Sequence, residues 1–241
     1  MNLVIDIGNT QSKLAVFENH SLVFQEAVDS KVLNAAQKLM KTHPIQRAIV
    51  CNVSQSQPEL ILFLDTQIPV IQLTWEAKVP FQNHYQTPQT LGVDRIALVS
   101  GAVAHHPNQD VLIIDAGSCI TYDYKTANEV YVGGAISPGI QMRYAALANQ
   151  TQNLPHLKKE MPIAALGAST SDSIHSGIVH GVCHEINGFI NHYRSQSENL
   201  TVILTGGDAD FLSKTIKNGI FADSNLLLKG LNTILALNLT E

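Results

Sequence analysis

The chain lacks several features that mark common functional classes. It has no run of lysine or arginine; 15 basic residues against 20 acidic ones leave a formal net charge of −5. Binding to a phosphate backbone needs clustered basic side chains, so nucleic acid is not an expected partner. Cysteine is scarce, with only Cys51, Cys119 and Cys183. Their odd number and wide spacing fit neither a disulfide framework nor a zinc site, and each is expected to pack as a small buried hydrophobe. The ten histidines show no metal spacing either; His180 and His184 stand four apart on an expected helix without a third ligand. No uninterrupted apolar stretch is long enough for a bilayer. The first apolar run is broken by Asp6 too early for a secretory core. A cytoplasmic protein without membrane contact is therefore expected. The P-loop pattern and the Gly-x-Ser-x-Gly elbow are also missing, which removes the commonest nucleotide-binding and hydrolase classes.

What is present is a motif that occurs twice. Leu3-Val4-Ile5-Asp6-Ile7-Gly8-Asn9-Thr10 and Leu112-Ile113-Ile114-Asp115-Ala116-Gly117-Ser118 share one grammar. Each is a buried-type strand ending in Asp-x-Gly and small polar residues, with a second β-branched strand after it. Glycine lets the backbone approach a ligand. The residues after it offer N–H groups and hydroxyls to an anion, and an aspartate at the strand end can hold a cation or its water. One such turn alone is an ordinary strand ending; two of them can grip a phosphate chain from both sides. Val202-Ile203-Leu204-Thr205-Gly206-Gly207-Asp208 repeats the strand-and-glycine pattern, with Asp208 as a candidate helix N-cap.

The order of elements repeats as well. Strands are expected at 2–7, 12–17 and 20–26, a helix at 30–41 capped by Ser30 and stopped by His43-Pro44, a strand at 47–53, a short helix from Pro58 and a strand at 70–73. An irregular polar segment at 76–90 precedes a helix at 91–104. Strands at 110–115, 119–124 and 130–136 then lead to helices at 139–149 and 171–195, a strand at 200–205, a helix from 208 and a last helix at 224–237. The 45% hydrophobic content suffices for a sizeable core. The expected fold is α/β: two lobes, 1–108 and 109–241, each a strand triplet plus helices, around a cleft where ligands meet the carboxyl ends of strands.

Two groups of residues could carry chemistry. Asp6 to Lys13 form a phosphate cradle, and Lys13 could reach the phosphates, although a solvated strand lysine explains it equally. Asp94, in Leu91-Gly92-Val93-Asp94-Arg95, opens a helix; complementing the helix dipole is its plain explanation. Against that, Gly92 permits close approach of a ligand, and the forked donors of Arg95 suit a carboxylate. A base beside an anion clamp looks like a pocket for a small hydroxy acid. Phosphoryl transfer needs little beyond such positioning and charge neutralisation.

Five ordered motifs resemble those of type III pantothenate kinases, over residues 3 to about 235. They are Asp6-Ile7-Gly8-Asn9-Thr10-Gln11-Ser12-Lys13, Tyr85-x-x-Pro88-x-x-Leu91-Gly92-Val93-Asp94-Arg95, Asp115-Ala116-Gly117-Ser118, Gly133-Gly134-x-Ile136-x-Pro138-Gly139 and Thr205-Gly206-Gly207-Asp208. The first and third alone would indicate only the wider actin-like (ribonuclease H-like) superfamily of acetate and sugar kinases. The resemblance implies two actin-like lobes and ATP-dependent phosphorylation of pantothenate to 4'-phosphopantothenate, the first step of coenzyme A synthesis. It implies Asp94 as general base, Asp6 through Lys13 with Ser118 as ATP contacts, and Asp115 as ligand of a monovalent cation. Tyr85, Gly92, Val93, Asp94, Arg95 and Thr170 correspond to substrate contacts. It also implies ATP with Mg2+ or another divalent ion, K+ or NH4+, and a homodimer.

Two positions depart from the pattern. Val93 stands where alanine is usual, and Ser118 where threonine is; serine keeps the hydroxyl. Ile174, Ile178, Val182, Ile186, Phe189 and Ile190 recur at helical spacing. They fit either a dimer contact or packing on the chain's own second lobe, and the resemblance favours the dimer. The rival readings are another small-molecule kinase of the superfamily, a polyphosphatase, a filament protein, or a non-catalytic nucleotide-binding regulator of the accessory transcription factor kind.

Overall fold

The computed structural model describes residues 1–216 and 218–239. Strand β1 (Asn2–Ile7) is buried at every position, which is why it reads as an unbroken apolar run rather than an alternating one. It is the middle strand of a five-stranded sheet ordered β3-β2-β1-β4-β5. Strands β2 (Ser12–Glu18) and β3 (Ser21–Val28) run antiparallel, while β4 (Arg47–Asn52) and β5 (Val70–Gln72) run parallel. Side chains alternate across the sheet. Leu3, Ile5, Ile7, Ala48 and Val50 pack with α1 (Val32–Thr42) and α2 (Pro58–Asp65). Asn2, Val4, Asp6, Ile49 and Cys51 therefore occupy the opposite face. That face carries α7 (Leu226–Asn238), which packs against β1, β4 and α3 (Val93–His105). Asn2 donates to Asn232 of α7 at 2.7 Å. Helices α3 and α7 meet backbone to backbone: a Cβ on Gly101 would strike the Leu226 carbonyl, and one on Gly230 the Ala97 carbonyl. A short strand, β6 (Gln82–Asn83), pairs with the first residues of β9 (Val130–Pro138).

The second half builds the same order again. Strands β7 (Val111–Ala116), β8 (Cys119–Lys125) and β9 form the triplet, with β10 (Thr201–Thr205) parallel to β7 and β11 (Phe221–Ala222) parallel to β10. The order β11-β10-β7-β8-β9 repeats that of the first sheet. Helices α4 (Ile140–Gln150), α5 (Thr170–Arg194) and α6 (Ala209–Ser213) complete it. Two compact units result. One holds Met1–Asn108, Ala127–Val132 and the segment from Asn225; the other holds Gln109–Thr126 and Gly133–Ser224. They are not contiguous in chain order, because α7 closes the first unit.

Four local expectations are corrected, the first being Cys119, which is exposed rather than buried. Ser30 does not cap α1; the cap position is Lys31, at φ 62 without a side-chain cap bond. Asp208 does precede α6, but its carboxylate makes no cap bond and pairs instead with Lys159. The apolar stripe of α5 is not a dimer surface: Ile174, Ile178, Val182, Ile186 and Ile190 are buried in the second unit's own core, with Phe189 against it.

Candidate functional site

In the first unit, β1 delivers Asp6 to the face shared with α3, 9% exposed. Its antiparallel partner is Lys13 and its parallel partner is Cys51. Burial raises the Asp6 carboxyl from 3.8 to about 6; Lys13 pulls it down, the charge of Asp94 pushes it up, and a hydrogen bond from the Cys51 thiol lowers it. Asp6, Lys13, Cys51 and Asp94 thus share one electrostatic environment. Asp6 Oδ1 is buried without a hydrogen-bond partner. An orphaned carboxylate oxygen of this kind costs stability unless something binds it, and it suits a divalent cation or its water shell. The turn after Asp6 is tight: a Cβ on Gly8 would lie 2.9 Å from the Gln11 carbonyl. Ile7 is buried, so only its backbone faces the turn; Asn9, Thr10 and Gln11 are exposed and Ser12 is buried.

Asp94 stands in the first turn of α3, where Oδ1 accepts from the Arg95 amide at 2.8 Å. A Cβ at Gly92 would meet that same oxygen, so a side chain there would have to push the Asp94 carboxylate aside. Arg95 is 4% exposed, and its guanidinium lies 5.5 Å from the Tyr85 ring centre, within cation–π range. Tyr85 in turn stacks on Tyr131 at 6.1 Å. Val93 is half-buried. The structure therefore places Asp94 within electrostatic reach of Asp6, and brings Tyr85 to Arg95.

In the second unit, two glycine turns close on the Asp115-Ala116-Gly117-Ser118 segment. Thr205 is its register partner on β10, and Gly206 follows at φ 94. A Cβ on Gly206 would strike Asp115 Oδ1 and the Ala116 carbonyl, and the Asp208 amide donates to that carbonyl at 2.8 Å. Gly139 is held as closely: a Cβ would strike the Gly117 and Ser118 carbonyls, and its amide donates to Ser118 at 3.1 Å. The Pro138-Gly139 motif thus builds the turn that exposes Ser118.

Thr170 is the first residue of α5, after an N-cap Ser169 whose hydroxyl accepts from Asp172 N at 3.1 Å. It lines a groove of about 800 Å³ between α4 and α5, with Arg143, Leu147, Leu154 and Ile178. Arg143 is anchored there by Glu185 at 2.6 Å. Burial works to raise Glu185, but hydrogen bonds from Ser137, Arg143 and Tyr122 outweigh it and hold the carboxyl below its usual range. Burial is also the main cause of the raised Tyr122 hydroxyl.

The sequence reading missed Cys51, Arg143 and Lys159. Only the first left a signal: it ends β4 at the carboxyl edge, where Asp6 ends β1. Among the described residues, no group of three or more His, Cys, Asp or Glu side chains could hold a metal ion, so the His180/His184 pair gains no third ligand. No described helix is long and apolar enough to cross a membrane.

Comparison with known proteins gives a consistent result. A family model described as type III pantothenate kinase matches residues 2–192. A type III pantothenate kinase from Christiangramia forsetii is 47% identical over 243 residues, spanning all of both chains. One from Flavobacterium johnsoniae is 44% identical over 96% of each chain. Among solved structures, a protein from Sinorhizobium meliloti described as a 2-dehydro-3-deoxygalactonokinase matches with a TM-score of 0.60 at 12% identity, over 100% of each chain. A protein from Campylobacter jejuni described as a Baf family transcriptional activator matches at 0.58 and 24%, over 98% of each. At those identities the two structures speak for the fold alone, an α/β fold shared with sugar kinases.

Proposed function

The chain belongs to the type III pantothenate kinase family, and we infer from that membership and from the carboxylate pair of the first unit that it phosphorylates pantothenate with ATP, the opening step of coenzyme A synthesis. The observation that supports the mechanism is the buried Asp6 Oδ1 without a partner, in the same unit as Asp94 in the first turn of α3 beside Arg95. Asp94 serves as the general base. It takes the proton of the primary hydroxyl as that oxygen bonds to the γ-phosphorus of ATP and ADP departs. Arg95, oriented over Tyr85, binds the substrate carboxylate, with Gly92 and Val93 forming the floor. Asp6 through Lys13 hold the phosphates; Asp6 Oδ1 would take Mg2+ or one of its waters, and the ion supplies positive charge to the transferring group.

In the second unit, Ser118 and the amides of its turn contact ATP. Asp115 helps hold K+ or NH4+ among oxygen ligands, and Thr170 adds a substrate contact. A homodimer in the cytoplasm completes the reading. Its contact must use a surface other than the α5 stripe; Ile163 and Leu166, 100% and 89% exposed ahead of α5, are apolar side chains left uncovered in one chain. Light scattering should return twice the 26.2 kDa chain mass.

The deciding experiment is a coupled ADP-release assay with pantothenate, other hydroxy acids and common sugars, with and without potassium. Turnover with pantothenate alone supports the reading. Turnover with a sugar instead would assign another small-molecule kinase, and no turnover with nucleotide binding intact would leave a regulator.

A further inference from the structure

The chain between α4 and α5, residues 151–169, holds no helix or strand. Connections longer than about 15 residues without secondary structure are uncommon in a compact unit and usually serve a function. This one is tied down along its length. Leu154 and Leu157 pack against the core of the second unit. Near α5, the Ser176 hydroxyl donates to the Ala165 carbonyl, and Gly167 lies so close to the Ser173 amide that a Cβ would strike it. The middle of the segment reaches α6 instead. The Lys159 ammonium donates to Asp208 Oδ1 and lies 5.5 Å from the centre of the Phe211 ring, within cation–π range. Met161 accepts from the Thr215 hydroxyl at 3.4 Å, just past α6. The segment is thus a strap that grips α6 on its way from α4 to α5.

Asp208 joins this strap to the turn that carries Ser118. Its carboxylate takes Lys159, while its amide donates to the Ala116 carbonyl at 2.8 Å. Gly206, two residues earlier, closes on Asp115 and Ala116. All of these residues lie in the second unit. We propose that Lys159 is a positioning residue for ATP: it latches the strap to Asp208 and so fixes the Gly206-Gly207-Asp208 turn against the turn from Asp115 to Ser118. The Lys159 side chain is 39% exposed and that of Asp208 13%, so water screens the pair in part. A partly exposed pair of this kind is worth at most about a fivefold change in an equilibrium constant. The proposal rests on the reading that the Ser118 turn contacts ATP, and not on the identity of the acceptor. Linkage is reciprocal, so a latch that favours ATP binding is itself favoured by ATP, by the same factor.

Kinetics and proteolysis test the two directions of that linkage. Lys159→Met should raise KM for ATP about fivefold with KM for pantothenate unmoved, a split that a general loss of packing would not give. Lys159→Arg, which keeps the charge, should recover most of the loss. Lys158 is exposed on the strap and offers trypsin a site. Cleavage after Lys158, read by mass, follows the population of the released strap when cleavage is slow relative to re-latching. In the unmutated protein a saturating non-hydrolysable ATP analogue should slow that cleavage by the factor seen in KM; in Lys159→Met it should not. The unmutated arm needs no variant to fold. A folded Lys159→Met with the parental KM for ATP, or cleavage after Lys158 indifferent to bound analogue, overturns the proposal. An unmutated protein that binds no ATP analogue overturns the kinase reading and the proposal together; one that binds it with cleavage unchanged overturns the proposal alone.

Discussion

Asp6 and Asp115 end equivalent strands in two sheets of the same order, yet their surroundings differ in kind. Around Asp6 the neighbours are side chains: Cys51 across one strand gap, Lys13 across the other, and Asp94 acting from the start of α3. Around Asp115 the register partners are Thr121 and Thr205, Gly206 lies close enough that a Cβ on it would strike the carboxylate, and Gly139 closes on Gly117 and Ser118. The strand partners are a lysine and a cysteine at the first turn and two threonines at the second, where glycines also close tightly on the backbone. A repeated local sequence thus supplies a repeated backbone, and the elements packed beside it set the chemistry. Charge substitutions should therefore register chiefly at the first turn, and added methyl groups chiefly at the second.

The largest effect should come from Asp94→Asn. General-base assistance contributes about 10²–10⁴-fold, so kcat should fall by that factor while binding of an ATP analogue persists. Near-full activity would return Asp94 to a helix-dipole role and undo the charge side of the comparison.

Asp6→Asn comes next, and its sign is unusual. The folded carboxyl titrates at about 6 and the ordinary value is 3.8. Between those values the folded protein keeps a proton that the unfolded chain has released. Stability without ligand should therefore fall as pH rises through that window, by at most about 3 kcal/mol. Asn removes the buried charge, so the variant should melt higher than its parent at pH 7 while losing Mg2+-dependent nucleotide binding. Denaturation at pH 4 and pH 7 checks this; a variant destabilised equally at both would show that Asp6 is not strained by its surroundings.

At the second turn, Gly206→Ala should cost about 1–3 kcal/mol, because φ 94 and the contact with Asp115 both forbid a Cβ. Gly207→Ala, which would meet nothing within 4 Å, is the control and should cost less than about 1 kcal/mol. Equal losses in the two melts would remove shape as the distinguishing property. The smallest effect, read in turnover alone, should be replacement of potassium by sodium. A severalfold loss is expected if Asp115 helps hold a monovalent ion; a rate indifferent to the exchange counts against that role.

Much of this was legible in the sequence because strand ends are local. Apolar runs broken by Asp-x-Gly locate β1 and β7, and their carboxyl edges follow from direction alone. Asp94 was legible because Gly92 and Arg95 stand beside it in the chain. The cap of α1 was not, since it depends on the backbone angle of Lys31 rather than on a side-chain oxygen at Ser30. Lys159 reaches Asp208 only through folding, which no neighbouring residue encodes. The α5 stripe shows the limit of periodicity: the same spacing describes a helix buried in its own core and one buried against a second copy.

Helix α7 gives the molecule an order of assembly. The ribosome makes every residue of the second unit before it reaches Leu226, yet that helix lies against α3, β1 and β4 of the first. Until then the face that holds Asp6 has no Asn232 to meet Asn2, and α3 has no backbone to seat Gly101. The second unit has its own sequence complete in hand and can fold as it emerges. The first must wait, with its apolar face open, for the last helix of the chain. Pairing between segments so far apart in sequence is slow to form. The half of the protein synthesised first is therefore the half whose core is completed last.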